Sequence, residues 1–195
     1  MTDSAHESPA DRTERTEYEA HLERLSEEQF RRQMRQAAHL LSNGQSEDAI
    51  LLLKRCHDLH PDDIDVLINL GGAYILAGRH RLAVPLLERA SELEPDNPAV
   101  WSNLAAAYLG QIILSTPAKQ DRALAAYRRV IELDAAYPNV HYNMGLIFID
   151  RRDWDAAYAA FTLAIETNPH DKDAHAMRQR VEQLRACPDS SPSAN

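Results

Sequence analysis

At 195 residues the chain is long enough to bury a sizeable core, and a formal net charge of -9 argues against a general affinity for nucleic acid or anionic lipid, because both depend on Lys and Arg neutralising phosphate. A composition of 44% hydrophobic and 26% charged residues is that of a globular chain, and six Gly and three Phe in the whole length disfavour a sheet-rich fold. Two cysteines, Cys56 and Cys187, are too few for a disulfide framework or a zinc finger and fit a reducing compartment.

Residues 1–15 lack the positive start and apolar run of a secretory signal, and no stretch of about eighteen apolar residues occurs. A cytoplasmic protein that does not insert into membranes is therefore expected, with 1–15 as an acidic, disordered tail. Over 16–29 the spacing predicts an amphipathic helix with Tyr18, Leu22 and Leu25 on one face. Ser26 and Gln29 form a capping box that would start the next helix. The 16–29 segment reads as a lid over the helices C-terminal to it, or as an occupant of a groove that regulates access.

From residue 30 the chain repeats itself. Pro61 and Pro95 lie 34 residues apart, as do Ala49 and Ala83, Leu40 and Tyr74, and Tyr74 and Tyr108. Leu104 to Met144, Tyr108 to Phe148 and Ala83 to Ala123 are each 40 apart, and Ala123 to Ala157 returns to 34. One six-residue insertion between Tyr108 and Ala123 accounts for the change. The units are 30–63, 64–97, 98–137 and 138–171.

Within each unit the spacing predicts two helices. Leu67, Leu70, Gly71 and Tyr74 follow i, i+3, i+4, i+7 and line one face. Gly71, Ala83 and Ala90 are small where two antiparallel helices must approach closely. Asn43-Gly44 and Ala77-Gly78 supply left-handed caps, Ser46 and Asp153 are candidate N-caps, and Pro95 and Pro169 stop the second helices. The insertion, GQIILSTPAKQDRA, reads as one extra turn on each helix of the third unit, with Thr116-Pro117 starting the second. Ile112, Ile113 and Leu114 cannot all face inward and form a candidate docking knob. Residues 172–186 place Ala174, Met177, Val181 and Leu184 on one stripe of a capping helix, and 187–195 read as a disordered tail.

The pattern resembles the tetratricopeptide repeat. Trp101, Leu104, Ala105, Tyr108, Ala123 and Tyr127 match it in the third unit, and Gly145, Phe148, Ala157, Phe161 and Pro169 match it in the fourth. The second unit matches through Leu67, Gly71, Tyr74, Ala83 and Pro95, while the first is degenerate. The resemblance implies an all-α, right-handed α-solenoid of helix-turn-helix repeats that holds another polypeptide on its concave side. On that surface it would place Ile68, Asn69 and Ile75 of unit two, Asn103 of unit three, and Tyr142, Asn143, Leu146 and Ile149 of unit four.

Asn69, Asn103 and Asn143 share one register, and an amide offers both donor and acceptor to a peptide unit. The series is similar to the asparagine ladder of the O-linked N-acetylglucosamine transferase superhelix; its alternative role is a bond to a neighbouring helix. Arg31 and Arg35 stand at the equivalent end of unit one and would favour a carboxylate. The lysine-rich carboxylate clamp of chaperone-tail-binding relatives is absent, with Met34, Ala38 and Ala99 in its places.

No phosphate-binding loop, nucleophile elbow or carboxylate pair occurs, so neither an enzyme nor a cofactor is expected. Cys56, His57 and His60 form the one tight cluster of metal-ligating types, without a second pair to complete a zinc site. The expected function is a non-catalytic scaffold that binds an extended peptide or helix of a partner protein. The alternatives are a homo-oligomer built through the knob or the N-terminal helix and, remotely, a metal-dependent enzyme.

Overall fold

Antiparallel pairing of successive helices organises the chain. The computed structural model describes residues 9–186, with side chains from Ser26 onward. Its elements are α1 (Pro9–Ser42), α2 (Ser46–Leu59), α3 (Ile64–Leu76), α4 (His80–Leu93), α5 (Pro98–Leu109), a 3-10 turn (Ile112–Leu114), α6 (Pro117–Leu133), α7 (Val140–Asp150), α8 (Trp154–Thr167) and α9 (Lys172–Ala186). Among the described residues there is no strand, and the fold is an all-α helical repeat. The expected face of Tyr18, Leu22 and Leu25 lies outside the described side chains, and the expected tails at 1–8 and 187–195 lie outside the described residues. Residues 9–15, expected as tail, belong to α1.

Sequence chemistry sets where the helices start and stop. The Asp63 carboxylate accepts from Val66 N–H at 2.9 Å and caps α3, and Asp153 does the same for α8 through Ala156 N–H at 3.1 Å. The α1–α2 and α3–α4 turns close identically. Gln45 N–H reaches Leu40 C=O at 2.9 Å and Gly44 N–H reaches Leu41 C=O at 3.0 Å; Arg79 N–H reaches Tyr74 C=O at 2.7 Å and Gly78 N–H reaches Ile75 C=O at 2.9 Å. Gly44 and Gly78 hold φ of 75° and 71°, the left-handed conformation this closure requires. The α7–α8 turn repeats the geometry with Arg152, φ 57°, in the glycine position.

Packing explains the small residues. A Cβ on Gly71 would stand 2.7 Å from Leu87 Cγ, and one on Gly145 would stand 2.7 Å from Phe161 Cζ, so each glycine is the notch that receives the partner helix's large side chain. Ala49, Ala83, Ala123 and Ala157 are each fully buried at the corresponding register of α2, α4, α6 and α8. At the C-terminal end α9 packs on α8 and buries Ala174 and Val181. Ion pairs tie the second helix of a hairpin to the loop that enters it: Arg89 grips Asp62 with two bonds of 2.8 and 3.1 Å, and Arg129 reaches Asp96 at 2.9 Å. The Arg89 guanidinium holds the Asp62 carboxyl below its ordinary pKa. Leu163 takes this register in α8, so the fourth hairpin lacks the tie.

Three local expectations are corrected. No helix begins at Ser26, because α1 runs unbroken through Ser26 and Gln29 to Ser42, and a capping box has no orphan N–H groups to satisfy inside a helix. Ser46 is the first residue of α2 rather than its cap; Gln45 occupies the cap position, and its side chain accepts from no backbone N–H there. The insertion does not lengthen both helices of the third unit. Gly110, φ 62°, ends α5 after 12 residues, Ile112–Leu114 form the 3-10 turn, and only α6 is extended, to 17 residues against 14 in α4. Thr116 does cap α6, accepting from Lys119 N–H at 3.4 Å, with Pro117 in the first turn.

The insertion is anchored onto the next hairpin. Gln120, 2% exposed in the extended first turns of α6, donates to Asp150 at 2.6 Å and accepts from Arg151 Nε at 2.8 Å. Arg151 also reaches Asp121 at 2.7 Å and the Pro117 carbonyl at 3.1 Å. This polar network joins α6 to the C-terminal end of α7, where helix-on-helix contact is thinner than at the α2–α3 and α4–α5 junctions.

Candidate functional site: the asparagine face of α3, α5 and α7

The register predicted for Asn69, Asn103 and Asn143 puts them on α3, α5 and α7, and all three are half-buried rather than enclosed. Asn69 donates one amide N–H to the Asp65 carbonyl at 2.7 Å, and Asn103 donates one to the Ala99 carbonyl at 3.0 Å, each four residues back on its own helix. That bond fixes the side-chain rotamer and leaves the second N–H and the carbonyl oxygen of each amide to be satisfied by something else.

Gly72 keeps the face open. A Cβ there would meet only Asn103 Oδ1, at 4.0 Å, so the α3 backbone and the α5 amide lie side by side across the hairpin junction with room between them. Spacing along the chain puts Gly71 in the packing stripe and Gly72 on the face of Ile68, Asn69 and Ile75, without showing that Gly72 stands beside the Asn103 amide. A glycine inside a helix on a half-buried face, where alanine is favoured by up to about 1 kcal/mol, was the available signal.

Asn143 differs from the other two. Its side chain lies against the Tyr127 hydroxyl of α6 and partly counters the burial that pushes the Tyr127 phenol up to about 12. The fourth-unit apolar residues also have partners: Tyr142 packs edge-on to Phe161 with centroids 5.5 Å apart, and Tyr142, Leu146 and Ile149 join the cluster built on Phe161 of α8 and Val181 of α9. Ile68 and Ile75 are half-buried against the packing of units one to three. Of the expected groove residues, Asn69 and Asn103 are therefore the pair whose amides bond only their own helices, with Tyr142, Asn143, Leu146 and Ile149 partly engaged by the structure's own packing.

On α1, Arg31 and Arg35 are both exposed, and Arg31 pairs with Glu27 at 3.0 Å one turn earlier. Met34 packs into the core while Ala38 is exposed. The knob divides: Ile112 is half-buried against the α6–α7 core, whereas Ile113 and Leu114 are 88% and 71% exposed. Cys56 is fully buried with its Sγ 3.5 Å from Gln33 Oε1, and burial raises the thiol pKa, the state of an unreactive core cysteine. Among the described residues no group of three or more His, Cys, Asp or Glu side chains is arranged to hold a metal. No helix among them is long and apolar enough to cross a membrane.

Comparison with known proteins agrees with this architecture. Residues 64–107 match the family model described as tetratricopeptide repeat, and residues 119–150 match one described as TPR repeat. No curated protein sequence matches the chain. Among solved structures, the crystal structure of MamA is 21% identical with a TM-score of 0.66, over 77% of this chain and 84% of that one. The thermophilic TPR protein TTC0263 of Thermus thermophilus is 15% identical with a TM-score of 0.67, over 83% and 93%. The first TPR of Spaghetti (RPAP3), bound to the HSP90 peptide SRMEEVD, is 19% identical with a TM-score of 0.55, over 63% and 95%. Both family matches fall on helices of the recurring hairpins, and the chain carries tetratricopeptide repeats over residues 64–107 and 119–150.

Proposed function

We propose that the protein is a non-catalytic scaffold that holds an extended segment of a partner polypeptide along the face carrying Asn69 and Asn103. The observation that carries this reading is the state of those two amides: each is pinned by its own helix, half-exposed, and has polar capacity unfilled beside the open backbone of Gly72. Pinned amides bind a peptide backbone with little loss of side-chain entropy, and they do so without regard to its sequence. Solenoids present such surfaces on their hollow side. Neither matching family model describes an enzyme, and a structural neighbour is a TPR module bound to a peptide.

The test compares the full chain with the Asn69→Ala/Asn103→Ala variant as baits in native lysate, quantified by mass spectrometry. Partners held by this face are enriched by the wild type and lost from the variant, while its thermal melt stays within about 1 °C, since each side chain bonds only its own helix. Identical enrichment by both baits would refute the proposal.

A second reading rests on Ile113 and Leu114, whose exposure is unusual for side chains of that size in a monomer. Self-association through them predicts a mass that rises with concentration in light scattering and stays monomeric in Ile113→Ser/Leu114→Ser.

A further inference from the structure

The insertion helps build a concavity that none of the three asparagines lines. Between the α3–α4 turn, the end of α5 and the start of α6 lies an open hollow of about 710 Å³, floored by Val84, Ala107 and Leu109 and walled by Leu82 and Leu114. It continues past Tyr108 and Arg122 into a shallower hollow of about 450 Å³ that ends at Trp101. Neither Asn69 nor Asn103 lines either hollow, although Ala107 of the floor stands one turn along α5 from Asn103, about 40° around its axis.

The charge of the trough is opposite to that of the molecule. Arg79, Arg81, Lys119 and Arg122 rim it, on a chain whose net charge is -9. Arg79 pairs with Glu47 at 2.9 Å, and Arg122 pairs with Glu88 at 2.8 Å while lying 3.8 Å over the Tyr108 ring. The side chains of Arg81 and Lys119 meet no carboxylate among the described residues. Neither α4 nor α6 has an acidic residue in its first turn, and both carry basic residues there, the reverse of what a helix dipole favours. Cations placed against the dipole, without partners and beside exposed leucines, break two local rules that stability would enforce, and such breaks concentrate where a surface is used.

We infer that this trough is a docking site for a short acidic segment of a partner protein, carrying a bulky apolar side chain that seats between Leu82, Leu114 and Tyr108 while its carboxylates meet Arg81 and Lys119. Electrostatic complementarity selects the occupant: carboxylates are attracted to this rim and repelled by most of the remaining surface. The apolar walls give the complex its residence time, because rim charges mainly steer approach. This site is separate from the asparagine face, and either can fail without the other.

Fluorescence anisotropy of a fluorescein-labelled Glu-Asp-Leu-Phe-Glu-Asp peptide with the full chain tests the inference. Binding should weaken with added salt and fall roughly tenfold or more in Arg81→Glu/Lys119→Glu. It should fall similarly in Leu82→Ser/Leu114→Ser and persist in Asn69→Ala/Asn103→Ala. Arg81→Gln/Lys119→Gln, which removes charge without reversing it, repeats the charge test if the first variant melts early. The inference is overturned if the peptide does not bind, if the charge variants bind it as well as wild type, if a Glu-Asp-Ser-Ser-Glu-Asp peptide binds equally, or if a single-stranded oligonucleotide of equal charge binds more tightly.

Discussion

Arg152 holds the backbone position that Gly44 and Gly78 hold in the first two hairpins, at φ 57° where their values are 75° and 71°. A side chain in that conformation costs roughly 1–2 kcal/mol, and its exposed guanidinium has no ion pair among the described residues that would offset the cost. Arg152→Gly is expected to stabilise the protein by about 1 kcal/mol after the added freedom of the unfolded chain is deducted, raising the thermal midpoint by roughly 2–4 °C. A lower midpoint in a calorimetric scan would contradict this account. The strain was not legible in the sequence, because position 152 carries neither the glycine nor the asparagine that marks a left-handed residue. The asparagine series was legible as a register, since periodic offsets need no coordinates. That Asn143 faces a buried tyrosine while Asn69 and Asn103 bond their own helices was not, since it depends on which atoms the neighbouring helix brings into reach.

At the scale of elements the insertion is the instructive segment. Its chemistry at Thr116-Pro117 announced the start of α6, and the structure has that cap. Gly110 is a local stop signal of the kind read at Gly44 and Gly78, but nothing local announced that Gln120 would be buried against Asp150 and Arg151. A buried amide bonded to two charged groups contributes about 2 kcal/mol, so Gln120→Ala should destabilise the protein by that order. The loss should appear first in the fourth hairpin, where Trp154 sits, because the network is a polar tie across the thin α6–α7 junction. Urea unfolding of Trp101→Phe, which leaves Trp154 as the fluorescent probe, with and without Gln120→Ala, measures it. An unchanged midpoint would mean that the network merely decorates the junction.

Across the whole molecule, each hairpin is stabilised by its neighbours, so stability is a sum of unit terms and interface terms. The α6–α7 interface is the leanest of the three junctions between hairpins, and the Arg–Asp tie of α4 and α6 is missing from α8. Amides of α7, α8 and α9 are therefore expected to exchange with deuterium together, and faster than those of α3, α4 and α5. Uniform exchange from α3 to α9 would show that the stack unfolds as one unit despite the thin junction.

The sequence by itself determined the helical class, the hairpin unit, the position of the insertion and the shared register of the three asparagines. Each of these follows from spacing along the chain, and a helix converts spacing into facing with one fixed angle per residue. Only the tertiary structure decided that α1 is continuous through Ser26, which two asparagines keep unfilled polar groups, and that the insertion forms a basic, apolar trough with the preceding hairpin. The asparagine environments and the trough arise from residues far apart in the chain meeting in space, and their distances depend on how one hairpin is seated on the next, a relation no local pattern encodes.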